Sequence, residues 1–466
     1  MLGTTTPLQT LILALLAYPF GPSVVPTVAV VIMPIFGLFA GLAMYVALVR
    51  RGVSVPAAAL GMAMYYASMA AIRTGIGGME TPLALLLMAL SLWALIASRP
   101  VAAGVFCGLL VLCRIDGLIW TGLVFIAALF SMRKTLLIQA AAFVITLLPW
   151  IIFATLYFGS PVPNSLLAKG VVRPGTANAL LDPGRAIAYA RWFISGTGIG
   201  AEMRLLPLWA MALVVGAWRI LRDRPRALGV LVAFPPVFAA MMYFGRAPRY
   251  EWYLLPITFV SLAIAAVGLY EIYRVVANRL LRRNAKAVSY VGAVLVMAIV
   301  VIYCSQGVPV MLRHLRAAQE NEDGFRRVAG LWLRDNTDPG ASVAMEAIGY
   351  QGYFSERRVI DIAGLVTPRV VGFKRRARHN GQVFDWILRD FTPDYIVLRS
   401  FEVDTNKHFN GGPLFLTVEK QSRFREMYRE AARFAAPHPD SAPLVWHLTI
   451  YQRVQPTLEA RTGGLP

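Results

Sequence analysis

Between residues 25 and 303 the chain is a succession of apolar runs separated by short polar intervals, more than one soluble core can absorb. The runs fall at 25–49, 55–72, 82–97, 101–113, 118–130, 136–156, 205–218, 228–243, 254–270 and 288–303. Some reach the ~20 residues needed to span a bilayer and others fall short, and together they predict about ten crossings. An earlier run, 8–20, ends in FGPS and is too short to span, which fits an interfacial or re-entrant segment. Composition agrees: the 466 residues are 57% hydrophobic and 15% charged, whereas a soluble domain carries about 25% charged residues.

The formal charge of +20 does not point to nucleic acid, because much of it sits in short basic loops between apolar runs. Arg50-Arg51, Arg99, Arg133-Lys134, residues 219–226 and residues 274–286 occupy alternate loops and belong in the cytoplasm. The opposite loops, 73–81, 114–117, 158–204 and 245–251, then face outward, as does everything after Ser305. Counting from residue 25 also places Met1 outside with no spanning helix ahead of it, which predicts a further transmembrane helix upstream of residue 1. Basic loops also attract anionic lipid head groups.

After about residue 313 the pattern changes. Residues 324–334 are amphipathic at helical spacing, 341–345 and 359–362 read as strands, and 383–389 as a helix. Residues 395–398 read as a strand, 424–434 as a helix and 444–451 as a final strand. The predicted organisation is an interfacial segment over 1–24, a transmembrane bundle over 25–305 and an extracytoplasmic α/β domain over 306–466. Cys107, Cys113 and Cys304 all lie in apolar runs, and the five histidines follow the last of them with no zinc-type spacing. Neither a cofactor nor a metal motif is legible, and metal dependence stays open.

Polar residues gather in the loops predicted to face outward. In Gly77-Gly78-Met79-Glu80-Thr81-Pro82 the carboxylate of Glu80 sits just ahead of a helix start, where it either favours the helix N-terminus or serves a site. Cys113-Arg114-Ile115-Asp116-Gly117 sets a cation and a carboxylate two apart between short apolar helices. It is either a self-paired turn or a phosphate ligand, Arg114, with an orienting or acid/base partner, Asp116. The stretch FGSPVPNSLLAK, 158–169, is stiffened by two prolines and offers Asn164 and Ser165 as hydrogen-bonding groups and Lys169 as a cation. In GRAPRYEWY, 245–253, Arg249 suits bidentate phosphate recognition, and Glu251, Trp252 and Tyr253 could meet a sugar or isoprenoid. The plainer reading of those aromatics is an interfacial belt. Asp361, in VIDIAGL, reads as a strand-end residue capping a turn or as a ligand contact.

In this order, TTTPL with its apolar half-helix, GGMETPL, CRIDG, FGSPVPNSLLAK, RYEWYLLP and VIDIAGLVTP resemble the polyprenyl-phosphate-dependent glycosyltransferases of the integral-membrane fold called GT-C. Within that fold the chain resembles the terminal arabinofuranosyltransferases of mycobacterial cell walls and their uncharacterised bacterial relatives. The resemblance implies a multi-pass enzyme of a bacterial cytoplasmic membrane. It would move a sugar from a polyprenyl-phosphate donor to a glycan, lipid or protein acceptor at the outer face. It also implies that the segment 8–20 corresponds to the juxtamembrane helix after the first outer loop. The family's catalytic aspartates would then precede residue 1, and a chain without them would be inactive or incomplete. Within the chain, Glu80 and Asp116 are the acid/base candidates. Arg114, Asn164, Ser165, Lys169, Arg249, Glu251 and Trp252 are the substrate-binding candidates. The rivals are a secondary transporter, expected to bury charges near mid-membrane, and a catalytically dead glycan-binding membrane protein.

Overall fold

Prolines mark where the helices begin. Pro7, Pro26, Pro56, Pro82 and Pro100 each occupy a first or second helical position, where the missing N–H leaves no bond unmade. The computed structural model describes residues 2–169, 183–196, 206–223, 225–245, 249–280, 319–346, 348–403, 414, 417–435 and 447–454, with single positions between 290 and 317.

By contacts the chain divides into two units, one of Thr4–Pro161 and Leu180–Leu312, the other of Met1–Gly3, Val162–Ala179 and Arg313–Pro466. The first is a helix bundle: α1 (Pro7–Ala17), α2 (Val25–Arg50), α3 (Val55–Ala67), α4 (Met69–Ile76), α5 (Thr81–Ile96), α6 (Pro100–Cys113), α7 (Gly117–Ser131) and α8 (Leu136–Phe158). After α9 (Asn164–Lys169), which belongs to the second unit, it continues with α10 (Pro183–Gly196), α11 (Leu206–Asp223), α12 (Pro225–Phe244) and α13 (Leu255–Leu280). Four helical stretches among the described residues are long and apolar enough to cross a bilayer: Pro22–Arg50, Arg133–Phe158, Ala227–Phe244 and Leu255–Arg279. Helices α5, α6 and α7 are apolar but shorter. The chain is a multi-pass membrane protein.

The predicted run 55–72 is broken in the structure, where α3 and α4 meet at 53°. Ser68 sits at the break and its Oγ accepts the Ala71 N–H over 3.2 Å, so the second half starts as a new, capped helix. Most of the predicted run 288–303 lies outside the described residues.

Where two helices approach closely, small residues make it possible. A methyl group at Gly216 of α11 would collide with the Ile264 carbonyl of α13, and one at Gly268 of α13 with the Ala212 carbonyl of α11. Gly104 of α6 is closed in the same way by the Gln139 carbonyl of α8. In lipid, where apolar surfaces gain nothing by leaving water, such close backbone packing is a main source of helix association.

In the second unit a five-stranded sheet has the order β2-β1-β3-β5-β4, with β1 at Ser342–Met345, β2 at Arg358–Asp361, β3 at Tyr395–Arg399, β4 at Tyr428–Ala435 and β5 at His447–Arg453. Strand β1 runs parallel to β2 and β3, while β5 is antiparallel to β3 and β4. Alternate residues face alternate layers. Val343, Met345, Val397 and Ile450 pack with Phe325, Ala329 and Leu333 on one face. Ala344, Ile396, Leu398 and Tyr451 pack with Val370, Phe373, Phe384 and Phe424 on the other.

One prediction here is corrected. Residues 424–434, read as a helix, split into the end of the helix Val418–Met427 and the edge strand β4. YREAARFA favours a helix locally, but pairing with β5 overrides that propensity, with an irregularity in register between Glu430 and Ala432.

Candidate active site

Among the described residues the bundle holds a buried charge cluster, and its sequence origin is three polar residues at helix boundaries. Arg114 lies between α6 and α7 in extended backbone and is only 5% exposed. Its Nε and Nη2 donate to Oδ1 and Oδ2 of Asp116 at 3.0 and 2.8 Å, a bidentate pair. Its Nη1 donates to Glu80 Oε1 at 2.6 Å and to Thr81 Oγ1 at 3.1 Å. The face of the guanidinium lies 5.2 Å from the ring centre of Tyr253.

Glu80 and Asp116 occupy the N-cap positions of α5 and α7, yet neither side chain caps its own helix. Both turn to Arg114 instead. Two helix N-termini, each favouring negative charge, therefore point at the cluster. One guanidinium faces two carboxylates, a formal charge of −1 for the three side chains. Burial alone would push Arg114 toward losing its proton, but the two carboxylates outweigh this and hold it charged. Among the described residues, Glu80 Oε2 has no hydrogen-bond partner, while both oxygens of Asp116 are taken.

The loop carrying Glu80 is itself fixed. Gln9 of α1 donates its Nε2 to the Gly78 carbonyl over 2.8 Å. Gly78 has φ +65°, and a side chain there would press on Ala29. The GG ahead of METP thus lets α1, α2 and the start of α5 close on one another.

A second feature of the bundle is an aromatic and cationic group. Arg249 is exposed and lies 5.9 Å from the ring centre of Tyr189 on α10. Tyr189 meets Tyr243 of α12 edge to face at 5.6 Å. Arg185 lies over both rings and donates its Nη2 to the Tyr243 carbonyl at 2.6 Å. Trp252 stacks on Tyr250 at 4.3 Å. Glu251 opens a short 3-10 turn, Glu251–Tyr253, and its side chain lies outside the described residues.

Asn164 and Ser165 belong to the second unit. Asn164 is buried and donates its Nδ2 to the carbonyls of Gly364 and Leu365 at 2.7 and 3.1 Å. Its backbone N–H donates to the Leu2 carbonyl at 2.9 Å, and Ser165 Oγ bonds the Gly3 carbonyl at 2.9 Å. The loop they hold is built on Asp361. One of its oxygens accepts the Ala363 N–H, the other those of Leu365 and Val366, at 2.8, 2.5 and 3.1 Å. The strand-end capping role is the one Asp361 performs. Lys169 ends α9, and its side chain lies outside the described residues.

The structure thus brings Glu80, Arg114 and Asp116 together and places Arg249 and Trp252 in the same unit, with Asn164 and Ser165 in the other. Sequence reasoning missed Thr81 and Tyr253 as partners of Arg114, and Arg185 and Tyr189 as companions of Arg249. Thr81 and Tyr253 stand beside singled-out residues, so the motifs located them without giving their contacts. Arg185 and Tyr189 fall in an interval that carried no motif.

This combination of bundle and α/β unit is the GT-C fold. Among solved structures, the chain is similar to ArnT from Cupriavidus metallidurans in the apo state, with a TM-score of 0.56 at 13% identity over 100% of this chain and 89% of that one. It is also similar to the same protein bound to undecaprenyl phosphate, with a TM-score of 0.52 at 12% identity over 97% and 88%. Residues 313–452 match a family described as a domain of unknown function, DUF8728. No curated protein sequence matches the chain.

Proposed function

We propose that the protein is a membrane glycosyltransferase that moves a sugar from a polyprenyl-phosphate donor to a glycan, lipid or protein acceptor at the outer face of a bacterial cytoplasmic membrane. The observation that carries this reading is the buried cluster of Glu80, Arg114 and Asp116 at the N-terminal ends of two helices in a GT-C bundle. An ionisable cluster in a membrane bundle marks a functional site by default. The likeness to ArnT with undecaprenyl phosphate supports a lipid-phosphate donor.

In the reaction the acceptor O–H gives up its proton, its oxygen bonds to the anomeric carbon, and the bond from that carbon to the phosphate oxygen breaks. Within this chain the base is Glu80, whose Oε2 is open while Oε1 is fixed by Arg114. Asp116 holds the guanidinium flat against both tasks. Four of the five N–H donors of Arg114 are engaged, and the remaining Nη2–H is the one offered to a donor oxygen. The leaving phosphate gains a negative charge, and the exposed Arg249 is the cation assigned to it. Glu251 and Trp252 are assigned to the sugar or the isoprenoid.

Asn164, Ser165 and Lys169 keep their assignment to substrate on sequence grounds. Asn164 Oδ1 and the lone pairs of Ser165 Oγ retain acceptor capacity for hydroxyl groups.

The test uses the full chain in proteoliposomes with radiolabelled polyprenyl-phosphate sugars. Glu80→Gln is expected to lower transfer by about 100-fold with little change in donor KM. Arg249→Ala is expected to raise donor KM. Transfer at the wild-type rate in Glu80→Gln would remove the base from the mechanism.

A further inference from the structure

The α/β unit carries a run of charge that the transferase reading does not use. Residues 373–379, FKRRARH, hold Lys374, Arg375, Arg376 and Arg378 and no acid. They close the helix Pro368–Arg376 and enter the turn after it. A helix C-terminus presents about half a negative charge, which a single cation answers. Four exceed what the helix needs.

Packing keeps that excess uncompensated. Val370, Phe373 and Ala377 take the inner face of this segment into the core, which leaves Arg375, Arg376 and Arg378 exposed. None of these three is ion-paired among the described residues. The acids of the following helix, Asn380–Phe391, are already engaged: Asp385 with Lys420, and Asp390 with Arg389 and Arg369. Arg376 lies instead 5.9 and 5.6 Å from the ring centres of Phe373 and Trp386.

The position of this segment is set by hydrogen bonds within the unit. Lys374 Nζ donates to the Ala363 carbonyl, which ties the helix to the loop built on Asp361. Asn164 ties α9 to the same loop through the Gly364 and Leu365 carbonyls, and α9 and the helix Pro368–Arg376 are in contact. The spanning helix α8 ends at Phe158 and α9 begins at Asn164. Those six steps reach about 20 Å at full extension, so α9 starts beside the bilayer surface. Its Leu166 and Leu167, and Val162 just ahead of it, are exposed. Exposed apolar side chains next to a cationic segment are the composition of an interfacial anchor.

We propose that α9 and the helix Pro368–Arg376 form a foot by which the α/β unit holds to the bilayer surface. Arg375, Arg376 and Arg378 bind the phosphates of anionic phospholipids, and Leu166 and Leu167 meet the boundary of the acyl chains. Charge selects the occupant, since guanidinium groups without a carboxylate suit phosphate oxygens. An anionic bilayer presents those oxygens as a charged surface rather than as one ligand, and a basic segment close to it is attracted residue by residue. An exposed patch therefore suffices. The inference stands apart from the transferase reading, because this contact requires no donor and no transfer.

The experiment places the full chain in nanodiscs of phosphatidylcholine, alone or with about 40% phosphatidylglycerol, and follows hydrogen exchange along residues 368–379 by mass spectrometry, with β4 as the internal reference. Exchange is expected to slow by about fivefold in the anionic discs. The difference should vanish at about 0.5 M salt, where screening leaves a reach of only a few Å. Replacing Arg375, Arg376 and Arg378 together by serine, all on exposed side chains, is expected to abolish the lipid dependence with unchanged thermal unfolding. Replacing the same three by lysine should retain most of it, because the charge is kept. Polyphosphate added to the neutral discs is the second arm. Equal exchange in neutral and anionic discs, a lipid dependence unmoved by the serine variant, or protection by polyphosphate without protection by phosphatidylglycerol would each overturn the proposal.

Discussion

Asn164 donates its side-chain amide to the backbone carbonyl of Gly364 over 2.7 Å, joining residues 200 apart in the chain. The bond ties the proline-stiffened stretch after α8 to the loop organised by Asp361. The Leu2 carbonyl is drawn into the same knot through the Asn164 backbone N–H. Three separate parts of the chain thus share one set of hydrogen bonds within the second unit.

Removing that amide should loosen the knot without disturbing a hydrophobic core. Asn164→Ala leaves the buried carbonyl of Gly364 short of its donor, a loss of about 1–3 kcal/mol. Limited proteolysis should then cut faster within residues 158–169, and Asn164→Asp should behave no better, since a carboxylate cannot donate. Cleavage rates equal to wild type would show that the bond is dispensable.

The buried cluster of the bundle predicts an asymmetry between removing the cation and removing one anion. Arg114→Ala strands Glu80 and Asp116 without their shared partner, and breaking such a pair costs about 3–5 kcal/mol. Glu80→Gln leaves the bidentate Arg114–Asp116 pair whole. Thermal unfolding in detergent should therefore fall far more in Arg114→Ala than in Glu80→Gln. Arg114→Lys should lie between, because an ammonium keeps the charge and loses the fork.

Backbone proximity between α11 and α13 should make Gly268 intolerant of even one methyl group. In Gly268→Ala the new carbon meets the Ala212 carbonyl, a backbone atom that cannot rotate away. Overpacking of this kind costs about 1–3 kcal/mol. A lower melting temperature in Gly268→Ala, with Gly229→Ala near wild type as the control, is the expected result. Nothing lies within 4 Å of a side chain added at Gly229.

Asp394 gives the α/β unit a pH dependence with a definite sign. Partial burial works to raise its pKa, but the Ser342 N–H and hydroxyl and the Arg453 guanidinium outweigh it, so the pKa lies below its ordinary value of 3.8. A carboxylate depressed in the folded state contributes stability above its unfolded pKa and loses it as the pH falls through the folded value. Unfolding monitored from pH 6 down to about pH 2 should therefore show a loss of stability beginning near pH 4. Asp394→Asn should flatten that loss, and an unchanged pH profile would assign it to other carboxylates.

The sequence by itself determined the membrane class, because the apolar runs of residues 25–303 leave no soluble alternative. It also located a separate α/β unit and singled out Glu80, Arg114 and Asp116, because charged residues at the ends of apolar helices stand out by type alone. Tertiary structure decided which of them meet. Residues 34 apart, Glu80 and Arg114, form an ion pair that no helical or strand period encodes, because it depends on how α5, α6 and α7 pack. The same holds for β4, whose residues favour a helix until β5 supplies the hydrogen bonds of a strand. It holds too for Asn164, whose bond to a loop two hundred residues away no local pattern in the linear chain gives. Local chemistry marks residues that cannot be indifferent to their surroundings. Only the folded arrangement supplies their partners, since each such contact is the sum of many helix and sheet packings that a one-dimensional pattern does not contain.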